Sequence, residues 1–386
     1  MIYMLYTLMN KNTELIDIEM TNGIIYKAKN FRTENKALLP VFLQGKNKDN
    51  IEIEKIAKWW QSRRIPANRD GIKELFFYLN DISLDALAEK SLGLSLSDQY
   101  WIRPPRDMIS KDINWEDVNF FQNEFSEDIG ELLIGGQWNG KSLVSPDNSS
   151  DGALKKRWKI IGGTRCLIKG SSDPFYQTEP FREVFASRVA GLLFDADFRV
   201  EYDFVWDHGD KTGKKVYSLC ENFITPDTEY VPFAQFCDIK SAAYDPGNFD
   251  VCKKICGDYK HILDLILILD YIVLNEDRHF GNFGMIRSAN TGELIRPAPV
   301  FDTGSSLFCN RVALDSGLVR AKPFCKDFDE QIKLVKVSDY RKNILSVKDK
   351  ISEIFWETFA DAFESESRLS EILEAAKSQI EKLLAR

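Results

Sequence analysis

The stretch Asn275-Glu-Asp-Arg-His-Phe-Gly-Asn282 concentrates side chains that could do chemistry. It follows an apolar run, Ile262 to Leu274, broken by Asp264 and Asp270, so its polar groups emerge from what reads as a buried helix. Asp277 and Asn282 stand five positions apart, and further on Val300-Phe-Asp-Thr-Gly304 puts Asp302 at the end of an apolar strand, just before a flexible glycine. Phosphoryl transfer needs such a set. One carboxylate orients the attacking hydroxyl, and an Asn oxygen and a second carboxylate hold Mg²⁺ against the phosphates of ATP. Asp277 is the candidate for the first task, and Asn282 and Asp302 for the second. An Asp and an Asn at this spacing are a weak signal alone; the helix before them and the hairpin and Phe-Asp-Thr-Gly after them make it specific. His279 is expected to shape the loop rather than act as the base, because Asp277 already fills that position.

The same chemistry asks for groups upstream. Cys166-Leu-Ile-Lys169 ends an apolar strand, and Lys169 is the candidate contact to the α and β phosphates. Glu183, on the following helix, would pair with it. Glu179 is a rival for that role, although an acid is expected there anyway from the helix dipole. Ser149-Ser150-Asp151-Gly152 lies before the first strand of the same hairpin, with Lys155 and Lys156 beyond it. Its small residues allow backbone N–H groups to approach a phosphate, but a plain Ser/Asp/Gly turn explains it equally well. Glu221 and Phe223, in Cys220-Glu-Asn-Phe223 at a strand end, are candidates for the adenine edge and ring.

The elements that must position these residues follow from periodicity and turn chemistry. Residues 1–9, 16–20 and 23–29 alternate as short strands, and Ile51 to Gln61 reads as an amphipathic helix whose tandem Trp59 and Trp60 are either a partner site or, the favoured reading, core. Ser83 is an N-cap for a helix reaching Leu92, which Gly93 ends. Residues 157–161 and 165–169 form a hairpin about Gly162-Gly163, followed by a helix over 179–194 and strands over 199–207 and 214–223. After Phe223 the chain turns mostly helical, with a helix over 258–274. A second hairpin has strands near Phe283-Gly-Met-Ile-Arg287 and Pro297-Ala-Pro-Val-Phe301, and the C-terminal residues form an amphipathic helix. The expected division is an accessory region over 1–125, a β-rich lobe over 126–225 and a helical lobe over 226–386.

Composition narrows the alternatives. The 386 residues carry 51 Lys and Arg against 59 Asp and Glu, a net charge of −8, with 44% hydrophobic and 28% charged residues. Disorder, collagen and coiled coil are excluded as the main architecture. The acidic balance argues against direct binding of nucleic acid, leaving only the short basic stretches at Arg63-Arg64 and Lys155 to Lys159 for a DNA-associated mobile-element factor. Seven cysteines, none in a Cys-x-x-Cys pair, fit reduced thiols in a cytoplasmic protein rather than a disulfide framework or a zinc site. The apolar run at 262–274 is too short to span a bilayer, so no membrane association is expected.

Asp277-Arg-His-Phe-Gly-Asn282 and the later Phe-Asp-Thr-Gly resemble the HipA-like Ser/Thr kinase family, a branch of the protein-kinase-like fold, and the first motif is also similar to that of phosphoinositide kinases. The resemblance covers about residues 140–330. It implies an α+β, bilobal fold with a β-rich N-lobe and a mostly helical C-lobe, here preceded by an N-terminal α/β extension. It implies a catalytic Asp277, Mg²⁺ on Asn282 and Asp302, ATP on Lys169, and a loop over the phosphates at Ser149 to Gly152. Some members phosphorylate a serine of that loop, for which Ser149 or Ser150 is the counterpart. It further implies a protein substrate and leaves an antitoxin-like regulator open. A pseudokinase that binds nucleotide without turnover is the alternative.

Overall fold

The computed structural model describes residues 4–44, 52–79, 82–105, 113–137, 140, 142–207, 214–236, 238–239 and 244–386. Met1 to Tyr3, Ile51 and Cys237, which figure in the readings above, lie outside them. In chain order the strands are β1 (Met4–Asn10), β2 (Thr13–Thr21), β3 (Ile24–Lys29), β4 (Tyr100–Arg103), β5 (Lys156–Ile161), β6 (Thr164–Lys169), β7 (Tyr202–Asp207), β8 (Lys215–Glu221), β9 (Thr228–Pro232), β10 (Gly284–Ser288) and β11 (Leu294–Pro297). The helices are α1 (Ile53–Gln61), α2 (Ile72–Leu79), α3 (Leu84–Lys90), α4 (Trp115–Val118), α5 (Asp128–Leu133), α6 (Thr178–Leu193), α7 (Gly247–Cys256), α8 (His261–Val273), α9 (Phe328–Gln331), α10 (Arg341–Phe359) and α11 (Glu366–Leu384). They gather into two compact units, one of Met1–Ile168, Ile224–Val231 and Ile286–Ile295, the other of Lys169–Phe223, Pro232–Met285 and Arg296–Arg386.

The first unit opens with an antiparallel sheet in the order β3-β2-β1-β4. Asn22 and Gly23 both take positive φ, 50° and 75°, between β2 and β3. Such a two-residue turn matches the right-handed twist of the strands it joins. Leu8, Ile16, Ile18 and Met20 are buried, and α1 closes over them with Ile56, Trp59 and Trp60. The tandem tryptophans are therefore core, and each large apolar side chain removed from water contributes about 1.5–3 kcal/mol. Ser83 caps α3 by accepting from the Ala86 N–H, and Leu92 and Gly93, both at positive φ, follow its end. Two returning segments are tied in by Arg287, which donates to Glu229 at 2.6 Å and to the Leu39 carbonyl at 3.0 Å with only 1% of its side chain exposed. Gly162 and Gly163, both at positive φ, turn β5 into β6.

The second unit is built around α6 and α8. Phe181, Phe185, Val189 and Leu193 of α6 are buried, and so is α8 from Ile262 onward. Phe355 and Phe359 of α10 stack at 4.3 Å and meet Phe185 at 5.4 and 5.8 Å, an aromatic cluster that fixes α10 on α6. The strands β7 and β8 pair antiparallel, Tyr202 opposite Cys220. The late hairpin differs from the sequence expectation. The second strand of the late hairpin is Leu294–Pro297, ahead of Pro297 to Phe301. Two prolines cannot donate to a ladder, and Val300 instead makes an isolated parallel bridge to Arg199. The described cysteines carry free thiols. Among the described residues no helix is long and apolar enough to cross a membrane.

Candidate functional site

The polar loop after α8 is set by its first residues. Leu274 takes a left-handed conformation, φ 51°, and ends the helix. Asn275 then folds back to donate to Asp270 at 2.8 Å. Arg278, fully buried, holds the same Asp270 through Nε at 2.9 Å and Nη2 at 3.1 Å. Its Nη1 donates to the Asn282 carbonyl at 2.9 Å and the Phe301 carbonyl at 2.7 Å. One guanidinium thus ties the helix, the loop and the strand end that carries Asp302. Asp270, one of the two acids that interrupt the apolar helix, is the buried counter-charge of this clamp.

Asp277 stands at the loop's surface, with Oδ1 2.8 Å from Lys322 Nζ. Its carbonyl accepts from Asn282 Nδ2 at 3.1 Å, which leaves the Asn282 side-chain oxygen as the end for a cation. His279 is exposed, and its Nδ1 accepts from the Gly281 N–H at 3.1 Å, a bond within the loop.

Lys169 and Glu183 meet in the same unit. Lys169 Nζ lies 2.6 Å from Glu183 Oε2 and 2.5 Å from Asp302 Oδ1, with 5% of the lysine side chain exposed. Burial works against its charge, but the Asp302 and Glu183 carboxylates outweigh that and raise its pKa above the ordinary lysine value. Glu183 Oε1 accepts from the Thr303 N–H at 2.8 Å, so one carboxylate orients both the lysine and the turn after Asp302. Asp302 itself sits at φ 58°, a conformation that Asp tolerates better than most residues. The rival Glu179 is engaged elsewhere, accepting from Ser172 at 2.5 Å and Asn310 at 2.8 Å. Burial opposes its ionisation, yet these hydroxyl and amide donors hold its carboxyl below the usual range.

Phe223 lies 5.5 Å from the Phe301 ring, and Glu221 is exposed at the end of β8. Ser149, Ser150 and Gly152 belong to the first unit. Ser149 donates to the Leu94 carbonyl at 2.7 Å, and Arg69 donates to the Ser150 and Gly152 carbonyls, each at 2.5 Å. Gly152 takes φ 92°, and its N–H donates to Asp151 at 2.7 Å. The segment is an anchored turn whose carbonyls are held by one buried arginine.

A cavity of about 330 Å³ opens beside Asp277, lined by Glu276, Ser305, Cys309, Asn310, Arg320 and Lys322. Glu276 is held by Arg311 through Nε at 3.0 Å and Nη2 at 2.5 Å. Neither Arg311 nor Lys322 was flagged by sequence, since both come from an irregular stretch with no period to read. The donor set suits Mg²⁺ and a nucleotide. Asn282 and Asp302 offer hard oxygen ligands, and Mg²⁺ needs only one or two carboxylates because phosphates and water complete its shell. The buried Lys169 supplies a matching cation for phosphate oxygens.

No protein-family model matches the sequence, and no curated protein does. Among solved structures, HipA of the Shewanella oneidensis MR-1 toxin–antitoxin system, in a complex with HipB and operator DNA, is similar over 98% of this chain and 97% of that one, at 11% identity and a TM-score of 0.55. The chain has a HipA-like, protein-kinase-like fold. The likeness to HipA takes in the N-terminal residues too, beyond the 140–330 that the motifs cover. The Helicobacter pylori proinflammatory kinase CtkA is similar over 61% of this chain and 92% of that one, at 19% identity and a TM-score of 0.46.

Proposed function

We propose that the protein is a kinase that transfers the γ-phosphate of ATP, with Mg²⁺, to a hydroxyl of a protein Ser or Thr. The observation that carries this reading is the convergence in one unit of Lys169 between Glu183 and Asp302, while Arg278 ties Asn282 to the strand end beside Asp302. ATP would supply the transferable phosphoryl group and Mg²⁺ would screen its charge. Lys169, held by Glu183, would bind the α and β phosphates. Asn282 and Asp302 would ligate the metal, and Asp277 would orient the acceptor hydroxyl and take its proton. His279 keeps the loop in shape. Glu221 and Phe223 would border the adenine, and the turn at Ser149, Ser150 and Gly152 is the proposed phosphate loop and the proposed source of a serine for autophosphorylation.

Residues 1–125 would act as an accessory region to lobes over 126–225 and 226–386. The similar HipA chain is in complex with HipB and DNA, so an antitoxin-like protein is the regulator we propose, in the cytoplasm. Direct DNA binding is not part of this reading. Arg63 and Arg64 are paired with Asp98 and Asp85 at 2.6 and 2.8 Å, and Lys159 lies 3.6 Å from Glu127.

The test is transfer from γ-labelled ATP with Mg²⁺, to the chain itself or a generic protein substrate. Asp277→Ala and Asp302→Ala are expected to lose at least about 10²-fold in rate. Asp277→Ala should keep the ATP-induced rise in melting temperature. A wild-type chain that binds ATP without transfer supports a pseudokinase, and one that does not bind ATP removes the nucleotide site.

A further inference from the structure

Lys322 stands on a backbone that is fixed before its side chain begins. The Ala321 N–H donates to the Lys326 carbonyl at 2.9 Å, and Gln331 Nε2 donates to the Lys322 carbonyl at 2.9 Å. Gln331 Oε1 accepts from the Phe324 and Cys325 N–H groups at 3.0 and 3.1 Å, and Gln331 is itself buried. Phe324 is buried against Phe249 at 5.1 Å and Phe280 at 5.7 Å. Built this way, the segment can hold an ammonium at a set position.

That position is the Asp277 carboxylate. The pair is 2.8 Å apart with side-chain exposures of 37% and 43%. An ion pair so wet contributes little to folding, about 0–1 kcal/mol. What the pair does supply is a fixed contact at one carboxylate oxygen, Oδ1. Glu276, the other acid of the cavity, is already held at both oxygens by Arg311. Among the described residues Asp277 Oδ2 has no protein partner.

We propose that Lys322 is a positioning residue for phosphoryl transfer, fixing Asp277 through Oδ1 so that Oδ2 is presented to the acceptor hydroxyl entering the adjoining cavity. This rests on the kinase reading above and adds to it the residue that aims the base. Without the ammonium the carboxylate is free to rotate about its χ angles and to turn either oxygen to water. Misplacing a reacting group in this way lowers the chemical rate while leaving nucleotide binding, which belongs to other residues, untouched.

The experiment measures steady-state transfer from γ-labelled ATP for the full chain, Lys322→Met, Lys322→Arg and Asp277→Asn, plus the Asp277→Asn/Lys322→Met double variant. Lys322→Met is expected to lower kcat by about 10²-fold with KM for ATP within about twofold, and Lys322→Arg to recover most of the rate. In the Asp277→Asn background the Met substitution should cost less than about threefold more, because the two residues act as one unit. Melting temperatures, with Lys322→Gln as a second neutral variant, separate misfolding from misplacement. A Lys322→Met rate within about threefold of wild type, or losses that multiply in the double variant, overturns the proposal and leaves the kinase reading standing. A wild-type chain without transfer removes the kinase reading and this inference with it.

Discussion

Replacing Lys169 by methionine should expose the charge imbalance at the centre of the second unit. Two carboxylates, Glu183 at 2% exposure and Asp302 at 33%, flank one ammonium at 2.6 and 2.5 Å. Because both touch the same nitrogen, their oxygens are no more than about 5 Å apart, and at an effective dielectric near 20 two unpaired carboxylates at that distance repel by about 3 kcal/mol. Loss of the attraction adds to this, solvent at Asp302 subtracts, and truncating one partner of a buried pair typically costs about 3–5 kcal/mol. An expected cost of about 3 kcal/mol corresponds to a fall of roughly 6–12 °C in the melting temperature of a unit of this size. The dependence on pH has a definite sign. The Lys169 pKa is raised, so in the wild type its contribution is complete below the ordinary lysine pKa and is lost only as pH rises beyond it. In the methionine variant the two acids repel where both are ionised, so the cost grows as pH rises through the acidic range. Asp302→Asn is the control, since it removes one excess negative charge and leaves a matched pair; it should stay within about 1 kcal/mol of wild type while losing transfer. Urea denaturation at pH 5 and pH 7.5 reads both. A Lys169→Met cost below about 1 kcal/mol at pH 7.5, equal at pH 5, would refute the reasoning.

Arg278→Ala should destabilise by about 3–5 kcal/mol, because Asp270 is left buried without its counter-charge and two carbonyls lose a donor; an unfolding free energy from urea denaturation within about 1 kcal/mol of wild type would show that the clamp is dispensable. Asp147 in the first unit is fully buried, and burial pushes its carboxyl up to about 7 against the Trp158 N–H and the Ser145 hydroxyl. The folded state therefore holds a proton there that the unfolded state has lost, and stability falls as pH rises from about 4 to 7. Asp147→Asn removes this term, so its stability relative to wild type should improve by up to about 4 kcal/mol across that range. A difference that does not change with pH would mean that Asp147 is ionised in the fold.

The local elements were legible because their signals are local. Gly162-Gly163 provides the positive φ of a two-residue turn, and the run at 262–274 is apolar enough to be buried on all sides. The candidate residues Lys169, Glu183, Asp277, Asn282 and Asp302 could be named from their types and from the order of strands and helices around them. The second strand of the late hairpin lies ahead of the apolar Pro297-Ala-Pro-Val-Phe301, because its prolines cannot donate to a ladder.

What the sequence alone determined was the set of elements and the polar residues at their ends, since helical period, turn chemistry and side-chain type act over a few residues. The tertiary structure decided which of those residues meet. Glu183 rather than Glu179 reaches Lys169, although both stand on α6, because Ser171, Ser172 and Asn310 engage the other acid. Lys322 reaches Asp277 from 45 residues away, and Lys169 reaches Asp302 from 133. Pairings at such separations leave no periodic trace in the chain. They follow from how the buried faces of α6 and α8 pack, which is a property of the assembled core.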